Sequence, residues 1–366
     1  MDSRGASTGA WPDSSSSERE CRARTIVKTG TMTQGAASAM ARKADTRRKI
    51  PARCARLHGD GALPTLTKMR LPPPLAPGAR VALLAPSGPL RSGAIDVATE
   101  QARSFGWDPV VSAHADAHHG YLAGTDTQRL GDLHAALRDD TIDGIWCLRG
   151  GYGAMRLLGD LDVEAMRRRP RTLIGYSDIT ALHAAIGNAA NLVTFHGPHA
   201  GTQLSPFSRD SFARAVVSRT DPCGQAPDAR TIRPGRAEGR LVGGNLALLA
   251  ALSGTRFAPD YSDAILVLED IGEPTYRIDR MLRQLALSGA LQRVAGIAFG
   301  QFTDGTVSGD DTSCELDDIL REAADIAGVP TLSGIPIGHI DDQWTLPLGA
   351  MAELDADRRS LHVALA

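Results

Sequence analysis

The sequence predicts an α/β protein with two domains, and three observations support this fold class. The chain has 366 residues, and domains of roughly 100–200 residues make two domains the natural division. Short apolar runs such as Arg80–Pro86 and Ile142–Leu148 alternate with amphipathic segments such as Gln128–Leu137. Strands that alternate with helices indicate a largely parallel sheet. The composition, with 42% hydrophobic and 22% charged residues, is ordinary for a globular chain.

The pattern along the chain divides it into four segments. Residues 1–70 are rich in Ser, Arg, Ala and Thr, and they bury too little apolar surface to offset their ordering entropy. We therefore expect a disordered extension there, with Met69 as an alternative start. Residues 71–205 form the predicted N-terminal domain, residues 206–238 an irregular linker, and residues 239–366 the C-terminal domain.

Charge and cysteine content exclude several classes of protein. The formal net charge is -2 and the pI about 6.6, so there is no excess of Lys and Arg to neutralise a nucleic acid. The five cysteines lack a CxxC pair, which favours a reducing compartment over a disulfide framework or a zinc site. The absence of an apolar run of about 18 residues predicts no transmembrane helix. Three histidines at 114, 118 and 119 are a weak metal signal without the HExxH spacing, and we expect neither a metal nor a cofactor.

Ser177 is the strongest candidate nucleophile. It lies in the turn Gly-Tyr-Ser-Asp (175–178), between an apolar strand and a helix. Such a turn lifts the hydroxyl out of the sheet and points backbone N–H groups at the space before it. The alternative is that Ser177 or Asp178 only caps the helix that begins at Ile179.

A serine nucleophile needs a base, and the base needs an orienting acid. His339 follows the apolar segment Ile335–Gly338, which we interpret as a strand end; a loop histidine bonded to a carbonyl is the alternative. Glu269 closes the apolar strand 264–268 and needs a partner if it is buried. A structural ion pair of this carboxylate with Arg277 or Arg280 is the alternative.

The glycine-rich loop Arg149–Gly153 is a candidate oxyanion hole. Glycines let backbone amides approach a ligand closely, so Gly151 N–H and Asp178 N–H would supply the two donors. A phosphate site is the alternative, although no Walker A pattern is present.

These motifs together resemble the LD-carboxypeptidase family, which includes muramoyltetrapeptide carboxypeptidases and microcin C self-immunity peptidases. The resemblance runs from about residue 76 to the C terminus. It rests on segments that occur in the family's order: RGGYGAMRLL (149–158), LIGYSDITALH (173–183), TFHGP (194–198), GRLVGGNLALL (239–249), LVLEDIGEPTYRIDRML (266–282) and GIPIGH (334–339).

The resemblance implies a flavodoxin-like or Rossmann-like N-terminal sheet and a smaller C-terminal α/β domain of the swivelling β/β/α type. It implies a Ser177–Glu269–His339 triad between the domains, no metal, and usually a homodimer. The reaction would be cytoplasmic hydrolysis of the L–D peptide bond that releases D-alanine from murein tetrapeptides. We expect Arg149 and Asn245 to contact this muropeptide substrate.

Two other functions fit parts of the sequence. A microcin-immunity-like peptidase would cleave an aminoacyl-nucleotide conjugate and would need an aromatic residue to stack the base, for which Trp107, Trp146 and Trp344 are candidates. A non-catalytic ligand-binding protein with two α/β domains would not need Ser, Glu and His together.

Overall fold

A computed structural model describes residues 69–305 and 314–365 of the chain. The disordered extension predicted at 1–70 therefore lies, up to residue 68, outside the described residues. Within the described residues the chain builds two sheets, each flanked by helices, which confirms the predicted α/β class.

The N-terminal sheet has six strands in the order β12-β5-β4-β3-β1-β2. Its strands are β1 Arg80–Leu84, β2 Asp108–Val111, β3 Gly144–Cys147, β4 Thr172–Gly175, β5 Thr194–His196 and β12 Leu346–Leu348. Strands β1 to β5 are parallel, as the alternation with helices predicts. Strand β12 comes from near the end of the chain and pairs antiparallel with β5.

The C-terminal sheet has eight strands in the order β6-β14-β13-β8-β9-β10-β11-β7. Its strands are β6 Gly224–Gln225, β7 Arg230–Arg233, β8 Arg236–Asn245, β9 Ala264–Ile271, β10 Gly296–Thr303, β11 Thr331–Ser333, β13 Met351–Asp355 and β14 Ser360–Ala364. Strands β8 to β11 form a parallel centre, and antiparallel strands flank it on both sides.

Eight α-helices in the described residues cover the two sheets. They are α1 Ala94–Ser104, α2 Asp126–Arg138, α3 Val163–Arg168, α4 Thr180–Ala190, α5 Pro206–Ala213, α6 Leu246–Leu252, α7 Thr275–Leu287 and α8 Leu316–Ala327. Helix α2 begins with a capping box in which Thr125 and Gln128 satisfy each other's backbone N–H groups. No helix of the described segments is both long and apolar enough to cross a membrane.

Two predicted segments differ from the structure. The segment 206–238, predicted as an irregular linker, contains helix α5 and strands β6 and β7 and also begins β8. Its short elements are stabilised by pairing with distant strands, which a local pattern cannot reveal. The strand predicted at Ile335–Gly338 is instead a loop, because β11 ends at Ser333 and Gly334 turns the chain at a φ of 80°.

An aromatic cluster anchors the core beside the N-terminal sheet. The rings of Trp146 and Phe212 lie 4.8 Å apart, and Trp107 packs edge-on against Trp146 at 5.9 Å. Both indole N–H groups are satisfied by carbonyls, that of Trp146 by Pro198 and that of Trp107 by Leu75. Trp344 is buried as well. The three tryptophans considered as base-stacking residues are therefore core residues.

The close pairing of β8 with β9 leaves no room for a side chain at Gly243. A Cβ atom at this position would lie 1.9 Å from the carbonyl oxygen of Val267, and the glycine has a φ of 143°. We expect Gly243→Ala to lower the free energy of unfolding by at least about 3 kcal/mol, because both overlap and backbone strain oppose it.

Gly131→Ala is the matched control, since a Cβ on this glycine of helix α2 meets no atom within 4 Å. It should stabilise the protein by about 0.5–1 kcal/mol, the helix propensity gain of alanine over glycine. Urea unfolding of both variants measures the two effects. A Gly243→Ala protein as stable as the wild type would contradict the predicted overlap.

Candidate active site

The carboxyl ends of three parallel strands bring polar turns together at one edge of the N-terminal sheet. Ser87 follows β1, the glycine loop Arg149–Gly153 follows β3, and Ser177 follows β4. Ligands in open α/β sheets bind beyond the carboxyl ends of the strands. The structure therefore places the predicted nucleophile and the predicted glycine loop where a site is expected.

Ser177 has a strained backbone conformation. Its φ is 59°, in the left-handed region that non-glycine residues seldom adopt. A Cβ atom at Gly150 would lie 3.0 Å from Ser177 Cβ and 3.3 Å from Ser177 Oγ. The glycine thus lets the loop after β3 approach the hydroxyl closely, and the surrounding structure holds the strained turn in place.

Asp178 connects the three turns through its buried carboxylate. Its Oδ2 atom accepts hydrogen bonds from Ser87 Oγ at 2.6 Å and from the N–H of Ala154 at 2.7 Å. Burial raises the pKa of this carboxyl, while the hydrogen bond from Ser87 lowers it. The capping hypothesis for Ser177 and Asp178 is wrong, because neither side chain caps the following helical turns.

Glu269 and His339 form the second half of the site, on the C-terminal sheet. Glu269 is fully buried at the end of β9, and its Oε2 atom lies 2.9 Å from His339 Nδ1. A Cβ atom at Gly338 would come within 3.2 Å of Glu269 Oε2, so glycine permits this approach. The alternative ion pair of Glu269 with Arg277 is not formed, because Arg277 pairs with Glu273 at 2.9 Å.

Tyr176 lies between the two halves of the site. Its ring centroid is 4.8 Å from that of His339 and 4.3 Å from that of His199. Because Ser177 follows Tyr176 directly, this packing brings the serine turn next to the Glu269–His339 pair. Among the hydrogen bonds of the described residues, none joins Ser177 Oγ to His339, and such bonds often tighten only when substrate binds.

Tyr176 is a site residue that the sequence did not single out, and His199 packs beside it. A Cβ atom at Gly150 would lie 3.1 Å from His199 Cε1, and His199 Nε2 is 3.1 Å from the carbonyl oxygen of Tyr176. Burial lowers the pKa of His199 to about 3, so this imidazole is neutral near pH 7. His199 therefore lines the site as an uncharged side chain.

The two predicted oxyanion donors have free N–H groups. The backbone hydrogen bonds of the described residues use neither Gly151 N–H nor Asp178 N–H. The loop carrying Gly151 is held by the N–H of Gly88, which donates to the carbonyl of Gly150 at 2.9 Å. Fixed and unpaired donors of this kind can stabilise a developing negative charge.

The two predicted substrate contacts differ in what surrounds them. Arg149 is half-buried, and its guanidinium donates to the carbonyl of Pro89. Asn245 is buried, and its Nδ2 atom donates to Asp270 Oδ1 at 2.8 Å while its Oδ1 atom caps helix α6. The amide of Asn245 is therefore engaged in positioning the C-terminal sheet and α6.

Two family models match separate segments of the chain. A family model described as the LD-carboxypeptidase N-terminal domain matches residues 81–197, and the model of the C-terminal domain matches residues 238–354. The murein tetrapeptide carboxypeptidase of Pseudomonas aeruginosa is 38% identical over 294 residues, which cover 76% of this chain and 94% of that protein.

Two solved structures have a similar fold. The muramoyltetrapeptide carboxypeptidase from Oxalobacter formigenes superposes with a TM-score of 0.70 at 30% identity, covering 78% of this chain and 98% of that chain. An MccF-like protein from Bacillus anthracis superposes with a TM-score of 0.71 at 26% identity, covering 81% of this chain and 99% of that chain.

Removing the Asp178 carboxylate should loosen the glycine loop. Asp178→Ala leaves the Ser87 hydroxyl and the Ala154 N–H unpaired, and we expect a loss of about 2–4 kcal/mol in the free energy of unfolding. Ser87→Ala, which removes only one of the two bonds, should cost less than half as much. Hydrogen exchange of residues 149–158 should accelerate in Asp178→Ala; unchanged exchange there would contradict the anchoring role.

Asp270 should make stability depend on pH. It accepts from Ala247 N–H at 2.8 Å and from Ile271 N–H at 2.9 Å, and burial raises its pKa from 3.8 to about 6. A raised pKa means that the folded state binds the proton more tightly. The stabilisation from this group is therefore complete below about pH 4 and is lost as the pH rises to about 6.

Comparison with Asp270→Asn isolates this effect. The stability of the wild type relative to the variant should fall by roughly 3 kcal/mol between pH 4 and pH 7. Urea unfolding at several pH values measures it. A difference that stays constant, or that grows with pH, would show that the pKa is not raised.

Proposed function

Because this chain belongs to the LD-carboxypeptidase family of serine peptidases, we propose that it hydrolyses the L–D peptide bond that releases D-alanine from murein tetrapeptides. Two proteins that it resembles, one by sequence and one by structure, bear the names of murein or muramoyl tetrapeptide carboxypeptidases. The observation that carries the proposal is the hydrogen bond between Glu269 and His339 beside the Ser177 turn.

In the proposed mechanism Glu269 orients the base. Its carboxylate can only accept, so the imidazole proton would lie on His339 Nδ1, which is 2.9 Å from Glu269 Oε2. His339 Nε2 is then unprotonated and able to take the proton of Ser177 Oγ. The buried carboxylate also stabilises the imidazolium that forms at that moment.

Ser177 would attack the carbonyl carbon on the L side of the scissile bond. The oxyanion would receive hydrogen bonds from the free N–H groups of Gly151 and Asp178. His339 would next donate its proton to the amine of the leaving D-alanine, and a water molecule would hydrolyse the acyl-enzyme by the same route in reverse. Each oxyanion donor is typically worth about 3 kcal/mol of transition-state stabilisation.

Arg149 is the proposed partner of the terminal carboxylate. It directly precedes Gly150, whose Cα carries no side chain between the loop and Ser177. Only one of its terminal nitrogens is bonded to Pro89, and a guanidinium with free N–H groups is suited to bind a carboxylate. A carboxypeptidase needs such a cation to select the end of a peptide.

We place the reaction in the cytoplasm, in the recycling of murein peptides. The cysteines of the described residues, Cys147, Cys223 and Cys314, are free thiols. Unpaired cysteines are typical of proteins in reducing compartments.

The assay compares a muramyl tetrapeptide ending in D-alanine with the same peptide ending in L-alanine, and detects alanine by mass spectrometry. We expect release from the D-alanine substrate alone. Ser177→Ala should lower kcat by about 10⁴-fold or more. Glu269→Gln should lower it by about 10²–10⁴-fold, because the amide carries no negative charge and its N–H donors favour the other imidazole tautomer. Urea unfolding of both variants provides the folding control.

Failure of the wild type to release alanine from either peptide would refute the proposed substrate. Cleavage of an aminoacyl-sulfamoyl adenosine by the same preparation would then support a microcin-immunity-like activity. Equal activity of Ser177→Ala and the wild type on any of these substrates would refute the assignment of the nucleophile.

A further inference from the structure

Two exposed tyrosines form a corner beside the glycine loop. Tyr121 is 68% exposed and Tyr152 is 50% exposed, and their ring centroids lie 5.5 Å apart with an interplanar angle of 68°. Tyr152 belongs to the Arg149–Gly153 loop itself. Neither ring serves the core, so their mutual packing at the surface calls for another explanation.

Hydrogen bonds hold the backbone beside both tyrosines. The turn that carries Tyr121 is joined to the site because Ala123 N–H donates to the carbonyl of Ser87 at 2.9 Å. The loop that carries Tyr152 is anchored by Ala154 N–H on the Asp178 carboxylate. The aromatic corner is therefore attached to the same two turns that meet at Asp178.

An open depression of about 460 Å³ lies next to Tyr121, lined also by His119 and Arg156. Arg156 uses Nε and Nη2 to bind Asp126, at 2.8 Å and 2.6 Å. This pairing orients the guanidinium and leaves its Nη1 group as a hydrogen-bond donor. The depression thus joins the Tyr121 ring to an oriented guanidinium.

We propose that this corner of Tyr121 and Tyr152, with Arg156, is a subsite for the sugar of a muramyl peptide. The inference rests on the proposed function and names the part of the substrate that lies far from the scissile bond. Binding energy from such remote groups can accelerate the reaction at the bond itself.

The distances agree with the length of the substrate. Tyr152 follows Gly150 by two residues, so their Cα atoms are at most about 7 Å apart, and Gly150 abuts Ser177. In a muramyl tetrapeptide the sugar is joined to the N terminus, three residues before the scissile bond. Three extended residues span about 10 Å, which reaches from Ser177 to the rings.

The shape of the corner favours a sugar over a nucleobase. A flat base is held best between parallel aromatic faces, whereas these rings meet at 68°. A sugar ring presents C–H groups on its face, which pack on an electron-rich aromatic face, and hydroxyls at its rim, which the Arg156 guanidinium can bind.

The test compares kcat/KM for the muramyl tetrapeptide with kcat/KM for the free tetrapeptide of identical sequence. We expect the wild type to prefer the muramyl substrate by about tenfold or more. Tyr121→Ala and Tyr152→Ala should each lower this preference by about fivefold. Tyr121→Phe, which keeps the ring, should keep the preference, and Leu287→Ala, an exposed apolar residue at the end of helix α7, is the surface control.

Isothermal titration with muramyl dipeptide, which lacks the scissile bond, separates the two proposals. Binding that is weakened by Tyr121→Ala, in a protein that cleaves no tetrapeptide, would support the sugar subsite and refute the proposed reaction. Cleavage of both tetrapeptides without preference, together with no binding of muramyl dipeptide, would refute the subsite alone. An equal loss on both substrates in Tyr121→Ala and Tyr152→Ala would also refute it, because the rings would then act only on the loop.

Discussion

The buried carboxylate of Asp178 fixes the geometry on which the site depends. It lies one residue after Ser177 and binds the turn after β1 through Ser87 and the loop after β3 through Ala154. Burying a carboxylate is costly unless hydrogen bonds compensate it. Here the compensating donors belong to the turn after β1 and the loop after β3, so the same bonds hold these two segments beside Ser177. The strained φ of Ser177 is maintained because contacts hold the residues on both sides of it. The ring of Tyr176 packs against His339, and the carboxylate of Asp178 accepts hydrogen bonds from the two loops.

The second constraint is the relation between the two sheets, since Ser177 belongs to one and Glu269 to the other. Thr180 Oγ1 accepts the N–H of Asn245 at 3.0 Å, directly between helix α4 and strand β8. Ser208 and Ser211 of helix α5 accept the N–H groups of Gln343 and Thr345, at 2.8 Å and 2.9 Å. These bonds hold the segment that follows His339, so the position of the imidazole is set from both sides.

Local patterns predicted the elements whose signal is local. Strands β1 and β9 are continuous apolar runs, and helix α2 has its leucines at helical spacing, so each could be identified from its own residues. Strand β12 could not, because it has three residues, includes Pro347, and exists only through its pairing with β5. The same applies to β6 and β7 in the segment that was predicted as a linker.

In the site, too, local features could be predicted from the sequence and contacts between distant segments could not. Chemical requirement and the order of motifs led to Glu269 and His339, and the structure brings these two side chains within 2.9 Å of each other. The partners of Asp178 and the ring contacts of Tyr176 and His199 were not predicted, since they depend on which loops meet in space. The capping hypothesis failed for the same reason: the carboxylate had better donors across the sheet edge than in its own helix.

Strand β12 also has a consequence for how the protein is made. Leu346 pairs with His196, so the chain must complete most of the C-terminal sheet before the edge of the N-terminal sheet is covered. While a ribosome synthesises the intervening residues, β5 presents an unpaired edge of the kind that recruits other strands. Vectorial synthesis cannot finish one half of this molecule before the other, because residues 346–348 protect the edge of the first sheet.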